Sequence, residues 1–182
     1  MASPIELLMH SSSAEATDAL AFQLGQRLHA GSVLCIDGEL GAGKTLFVKG
    51  LARGLGIDEP VDSPTFTLMN QYEGRLTLYH LDAWMQGRER AFLEGGGEEC
   101  LHGGGVTAIE WGGRVLDLLP RPLVWIELEH RSPEERQIRM RVVSAAEGAG
   151  SEEEEHLEAA IAGLEPSSIH EQLACLSRTQ DP

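Results

Sequence analysis

Apolar and polar positions alternate along the chain in two rhythms. Between residues 13 and 30, Ala16, Leu20, Leu24 and Leu28 recur every fourth position, the spacing of one α-helical face, with an early Ser or Thr to cap it. Gly31 follows the last of them and reads as the helix stop. Val33-Leu34-Cys35-Ile36 is an apolar run of strand length, consistent with burial on both faces. A Gly-rich turn separates it from a second helix over residues 46–55. Apolar runs over residues 66–69 and 76–79 flank a turn region at 70–74, the pattern of a β-hairpin. Residues 87–104 mix short helical pieces with two Gly triplets. Three further strands are expected over residues 106–109, 123–126 and 137–143, the last two separated by a charged turn containing Pro133.

Composition changes this picture only at its edges. A chain of 182 residues is one domain by default and buries on the order of 70% of its unfolded surface, so it needs no disulfide or metal to hold a core. From Ser144 the composition shifts, which divides the chain into a domain over residues 1–143 and an acidic tail over 144–182. The tail holds Glu152 to Glu155 and one expected helix over 153–164, whose glutamates suit either a solvated helix start or an interaction surface. The net charge of −15 argues against unaided binding to a phosphate backbone and against adsorption to anionic lipid. No apolar run approaches the ~18 residues of a membrane span, and the N-terminus has no basic region ahead of an apolar one. Cys35, Cys100 and Cys175 lie far apart, which excludes a disulfide framework and points to a reduced, cytoplasmic compartment.

The chemistry begins at Gly38-Glu39-Leu40-Gly41-Ala42-Gly43-Lys44-Thr45, a full G-x-x-x-x-G-K-[ST] pattern between an expected strand and an expected helix. Glycines let backbone N–H groups turn inward around an anion, and the helix N-terminus adds its positive end. Lys44 is the cation for β and γ phosphates, and the Thr45 hydroxyl is a Mg²⁺ ligand. Hydrolysis also needs a carboxylate near the metal and a group to orient water. Asp82 and Glu110 each follow an expected strand, where the chain delivers side chains to the edge that carries the loop. Either could instead cap the next helix. No lysine is preceded by Asn, so the N-K-x-D motif of guanine recognition is missing and ATP is favoured.

Four motifs in order resemble the bacterial TsaE (YjeE) ATPases: residues 38–45, then Ser63-Pro-Thr-Phe-Thr-Leu68, then Tyr79-His-Leu-Asp82, then Ile109-Glu-Trp111. With the strands around them they span about residues 13 to 143. The resemblance implies an α/β, three-layer P-loop NTPase-like fold with one mixed, mostly parallel sheet. It implies a Mg-dependent ATPase, slow alone, that supports threonylcarbamoyladenosine modification of tRNA next to the anticodon without transferring the group. The implied partners are TsaD and TsaB, with tRNA reached only through that complex and no membrane involved. Carried onto this chain, Lys44 and the loop backbone from Gly38 to Thr45 hold phosphate, and Thr45 and Glu110 hold magnesium. Asp82 stands at the other acidic motif, Thr65 lies in a switch-like loop, and Trp111 matches a tryptophan needed for activity, although packing alone would also explain an indole there. Two departures stand out. Leu46 replaces a second Thr, and Ala83-Trp84-Met85 replaces Leu-Tyr-Arg, which leaves Arg88 or Arg90 to supply the missing cation.

Two other classes use the same loop. A small-molecule kinase would place an acceptor pocket and a lid over residues 86–105, with Arg88 and Arg90 on it. A nucleotide-dependent binding module would hold ATP and never release phosphate.

Overall fold

The computed structural model describes residues 6–85, 87–144 and 150–164. Among these residues seven strands form one sheet in the order β1-β7-β6-β2-β5-β4-β3. They are β1 (Glu6–Ser11), β2 (Val33–Gly38), β3 (Met69–Tyr72), β4 (Leu78–Asp82), β5 (Val106–Glu110), β6 (Leu123–His130) and β7 (Arg136–Val143). The four central strands β6, β2, β5 and β4 run parallel. β7, β1 and β3 are joined antiparallel outside them. Helices cover both faces, so the fold is a three-layer α/β sandwich with a mixed sheet whose core is parallel. The first four residues of β2 are buried to the last side chain, as expected of a strand covered on both faces.

One face carries α1 (Ala14–Arg27), α2 (Lys44–Gly54) and α5 (Glu152–Ala162). The Ser13 side chain caps α1, accepting from the Ala16 N–H. The helix ends at Arg27, before Gly31. Leu28 turns extended and buries its side chain in the core, and Gly31, at φ +87°, serves the later turn into β2. α1 and α2 cross at backbone contact. A Cβ added at Gly54 would sit 2.2 Å from the Phe22 carbonyl oxygen, and one at Gly50 2.4 Å from that of Asp18. An ion pair between Arg53 and Asp18 ties the two helices at their surface. In α5, Leu157, Ala160, Ile161 and the following Leu164 are buried in the same apolar layer as Leu24 and Leu51. Ser151 caps that helix, and Glu152 to Glu155 are its first turn. Residues 165–182 of the expected tail lie outside the described residues.

The opposite face is made of short pieces: α3 (Arg88–Phe92), a wide turn over Leu93–Gly97, α4 (Glu99–His102) and a 3₁₀ turn over Gly112–Leu118. Leu93, Cys100, Leu101, Val115 and Leu119 pack there against Cys35, Leu81 and Ile109 of the sheet. The hairpin expected in the middle of the chain is β3–β4, with Met69 opposite Leu81 and Tyr72 opposite Leu78. Its first strand starts at Met69, not at 66, because Leu68 adopts φ +69° and breaks extended pairing. β1 lies outside the expected elements. Among the described residues it pairs only with β7, and its exposed Leu8 blurs the alternation that marks a half-buried strand.

Candidate nucleotide site

Every central strand ends, at its carboxyl end, on one edge of the sheet. β2 runs into the loop of residues 38–43, β4 ends at Asp82 and β5 at Glu110, and Asp82 is the register partner of Glu110. Parallel strands with helices on both faces put their ligand crevice at this edge. A cleft of about 300 Å³ opens there.

The loop reaches its shape through glycine. Gly38, Gly41 and Gly43 have φ of +141°, +79° and +103°, values that side-chain-bearing residues rarely adopt. At Gly38 a Cβ would also lie 2.4 Å from the Leu128 carbonyl oxygen. Gly43 occupies the N-cap of α2, so the helix begins at Lys44, with its N-terminal N–H groups facing the cleft edge. Arg136 Nε donates to the Ala42 carbonyl at 3.0 Å and pins the loop from β7.

Lys44 is nearly buried. Its Nζ donates to the carbonyls of Gly38 and Glu39 at 2.8 Å each and lies 3.6 Å from the centre of the Trp111 ring. Burial lowers its pKa; the carboxylates of Glu110, Asp37 and Asp82 oppose that shift, and the Arg114 guanidinium adds to it. Thr45 Oγ1 lies 2.8 and 3.0 Å from the two oxygens of Glu110 and donates to that carboxylate. Glu110 also meets His80 Nε2 at 2.9 Å. His80 is wholly buried, and its Nδ1 has no hydrogen-bond partner among the described residues.

Asp82 organises the other wall. Its Oδ2 accepts from Ser63 Oγ at 3.0 Å and Thr65 Oγ1 at 2.6 Å, and its Oδ1 accepts from the Trp84 N–H at 2.9 Å. These bonds fasten the Ser63-Pro-Thr65 loop to the end of β4. Trp111 follows β5 in a left-handed conformation, φ +57°, which turns its ring back over Lys44.

The cleft therefore brings together Leu40, Gly41, Gly43, Lys44, Thr45, Thr65, Asp82, Glu110 and Trp111. Gly38, Glu39 and Ala42 stand behind its lining, the first two as carbonyl acceptors for Lys44. Arg90 is held elsewhere, by Asp117 at 2.7 and 3.0 Å and by Glu94 at 3.5 Å. Ser63, of the expected switch-like loop, lines the cleft with Thr65; Trp84, which also lines it, and His80 and Arg114, which touch Glu110 and Trp111, lie beyond the expected set. His80 carried one signal, its position two residues before Asp82, which puts both on one side of β4. Arg114 carried none, since only folding brings the 3₁₀ turn against Trp84.

The oxygen donors Thr45 and Glu110, already in contact, suit a hard cation such as Mg²⁺, which takes few protein ligands and keeps its other positions for water and phosphate. Among the described residues no group of three or more His, Cys, Asp or Glu is placed to hold a metal ion.

Fold and loop together put the chain in the P-loop class. The family model described as threonylcarbamoyl adenosine biosynthesis protein TsaE matches residues 11–138. The tRNA threonylcarbamoyladenosine biosynthesis protein TsaE of Treponema pallidum is 48% identical over 128 residues, 70% of this chain and 95% of that one. The Bacillus subtilis protein of the same name is 38% identical over 130 residues, 71% of this chain and 81% of that one. The crystal structure of Bacillus subtilis YdiB superposes with a TM-score of 0.72 at 31% identity, covering 89% of this chain and 97% of that chain. The chain belongs to the TsaE family.

Proposed function

We propose that this protein binds ATP with Mg²⁺ and hydrolyses it slowly by itself, as the energy-coupling subunit in threonylcarbamoyladenosine modification of tRNA. The observation that carries the reading is the contact of Thr45 with Glu110 beside Lys44, at the carboxyl edge of a parallel sheet. The names of the relatives support the pathway. In this reading the N–H groups of residues 38–45 bind the phosphates, and Lys44 exchanges the carbonyls of Gly38 and Glu39 for phosphate oxygens. Thr45 and Glu110 would hold Mg²⁺, which would supply charge neutralisation on the phosphate chain. Asp82, oriented by Ser63 and Thr65, takes the hydrogen bond of the attacking water. Trp111 covers Lys44 and keeps bulk water from its ammonium group.

TsaD and TsaB are the proposed partners, and tRNA is reached only through them in the cytoplasm. A charge of −15 repels a polyanion, which a composite surface need not do. Among the described residues no helix is long and apolar enough to cross a membrane. Phosphate release and tRNA gel-shift, measured on the protein alone and with TsaD and TsaB, test the reading. Slow turnover and poor tRNA binding alone, both relieved in the complex, are expected. Tight tRNA binding by the lone protein, or rapid turnover indifferent to partners, would refute it.

A further inference from the structure

Trp84 and Trp111 wall the nucleotide cleft with ring centroids 4.7 Å apart. Arg114, on the 3₁₀ turn, sets its guanidinium carbon 4.8 Å from the Trp84 ring and 5.2 Å from the Trp111 ring. Its Nη1 donates to the Trp84 carbonyl at 2.7 Å. Lys44 Nζ lies against the same Trp111 ring, so two cations share one indole. The Arg114 charge opposes that of Lys44, which the carboxylates of Glu110, Asp37 and Asp82 offset. Among the described residues Arg53, Arg90, Arg131 and Arg139 are paired with carboxylates, and Arg114, like Arg27, Arg75, Arg88, Arg121, Arg136 and Arg141, is not. The bond to the Trp84 carbonyl uses one of the five guanidinium donors and leaves the others available. The result is an exposed cation held against the two indoles that line the cleft, one of which also carries Lys44.

We propose that Arg114 contacts the terminal phosphate of a nucleoside triphosphate seated on Lys44 and stabilises the transition state of its hydrolysis. This rests on the ATPase reading above. In the step, a water oxygen bonds to the γ phosphorus while the bond from that phosphorus to the β–γ bridging oxygen breaks. The bonding pair leaves on ADP, and the water's proton passes to solvent. Arg114 carries the charge that builds on the departing and equatorial oxygens, the part an arginine plays in other phosphoryl transfers. Arg90, committed to Asp117, does not.

The test uses the full-length protein with Mg²⁺ and the variants Arg114→Gln, Arg114→Lys and, as a control, Arg90→Gln. Calorimetry compares ADP with a non-hydrolysable ATP analogue, tryptophan emission follows each addition, and phosphate release is measured with TsaD and TsaB present. Arg114→Gln should bind ADP as the wild type does and lose about tenfold in the preference for triphosphate over diphosphate, with turnover down by about 30-fold or more. The triphosphate-dependent change in tryptophan emission should vanish with it. Arg114→Lys should recover part of both, and Arg90→Gln should match the wild type. An unchanged preference in Arg114→Gln, or equal loss of ADP and analogue binding, would overturn the assignment; the second outcome would mean a packing role. Failure of the wild-type protein to bind either nucleotide would instead overturn the ATPase reading, and this assignment with it.

Discussion

Replacing Glu110 with alanine should damage the fold and the chemistry by amounts that can be separated. The Glu110 carboxylate is nearly buried and meets Thr45 Oγ1 through both oxygens and His80 Nε2 through one. Thr45 borders the cleft and can turn to water. His80 cannot, because it is fully buried and its Nδ1 already has no partner among the described residues. A buried polar group left without a partner costs about 1–3 kcal/mol, and the space vacated beside it adds to that, so the expected loss is about 3 kcal/mol. For a chain of this size that lowers Tm by roughly 6–12 °C. Glu110→Gln keeps the shape and an acceptor for His80, and should cost only about 1 kcal/mol. Both variants should lose hydrolysis, since neither offers a carboxylate to the metal, while Lys44 and the loop N–H groups still hold the triphosphate. Thermal melts, calorimetry with a non-hydrolysable ATP analogue and phosphate release in the presence of TsaD and TsaB separate the effects. An unchanged melt for Glu110→Ala would mean that the His80 contact contributes no stability. Wild-type turnover in either variant would remove Glu110 from the metal site.

Lys44→Ala should fold, because the side chain serves the ligand, and should lose at least about tenfold in ATP affinity, or 1.4 kcal/mol, by calorimetry. Gly54→Ala should lower stability by about 1–3 kcal/mol in a urea titration, because its Cβ would fall on the Phe22 carbonyl and force α1 from α2. Burial pushes the Cys35 thiol up to about 12, with Asp37 adding to the shift, and the Cys100 thiol up to about 11. A raised thiol pKa means less thiolate, so at pH 8 both should resist iodoacetamide in the folded protein and react once it is unfolded, as peptide mass spectrometry would show.

The linear sequence determined most of the frame and the kind of chemistry. Apolar spacing located α1, β2 and α2, since burial of one helical face or of a whole central strand leaves a local periodic trace. The glycine pattern at 38–43 marked a loop that only glycine can wrap, and Asp82 and Glu110 were legible because strand ends in such a fold meet on one edge. The edge strand β1 left no comparable trace, because its exposed Leu8 breaks the alternation of a half-buried strand. Where α1 stops was decided by Leu28, which turns out of the helix to enter the core, before the chain reaches Gly31. His80 against Glu110 depends on β4 and β5 lying in parallel register, and Arg114 against Trp84 depends on the turn after β5 folding back across the end of β4. Such contacts join residues about thirty positions apart, and no local pattern encodes them. Packing decides them, because two surfaces must first be buried together before their side chains can meet.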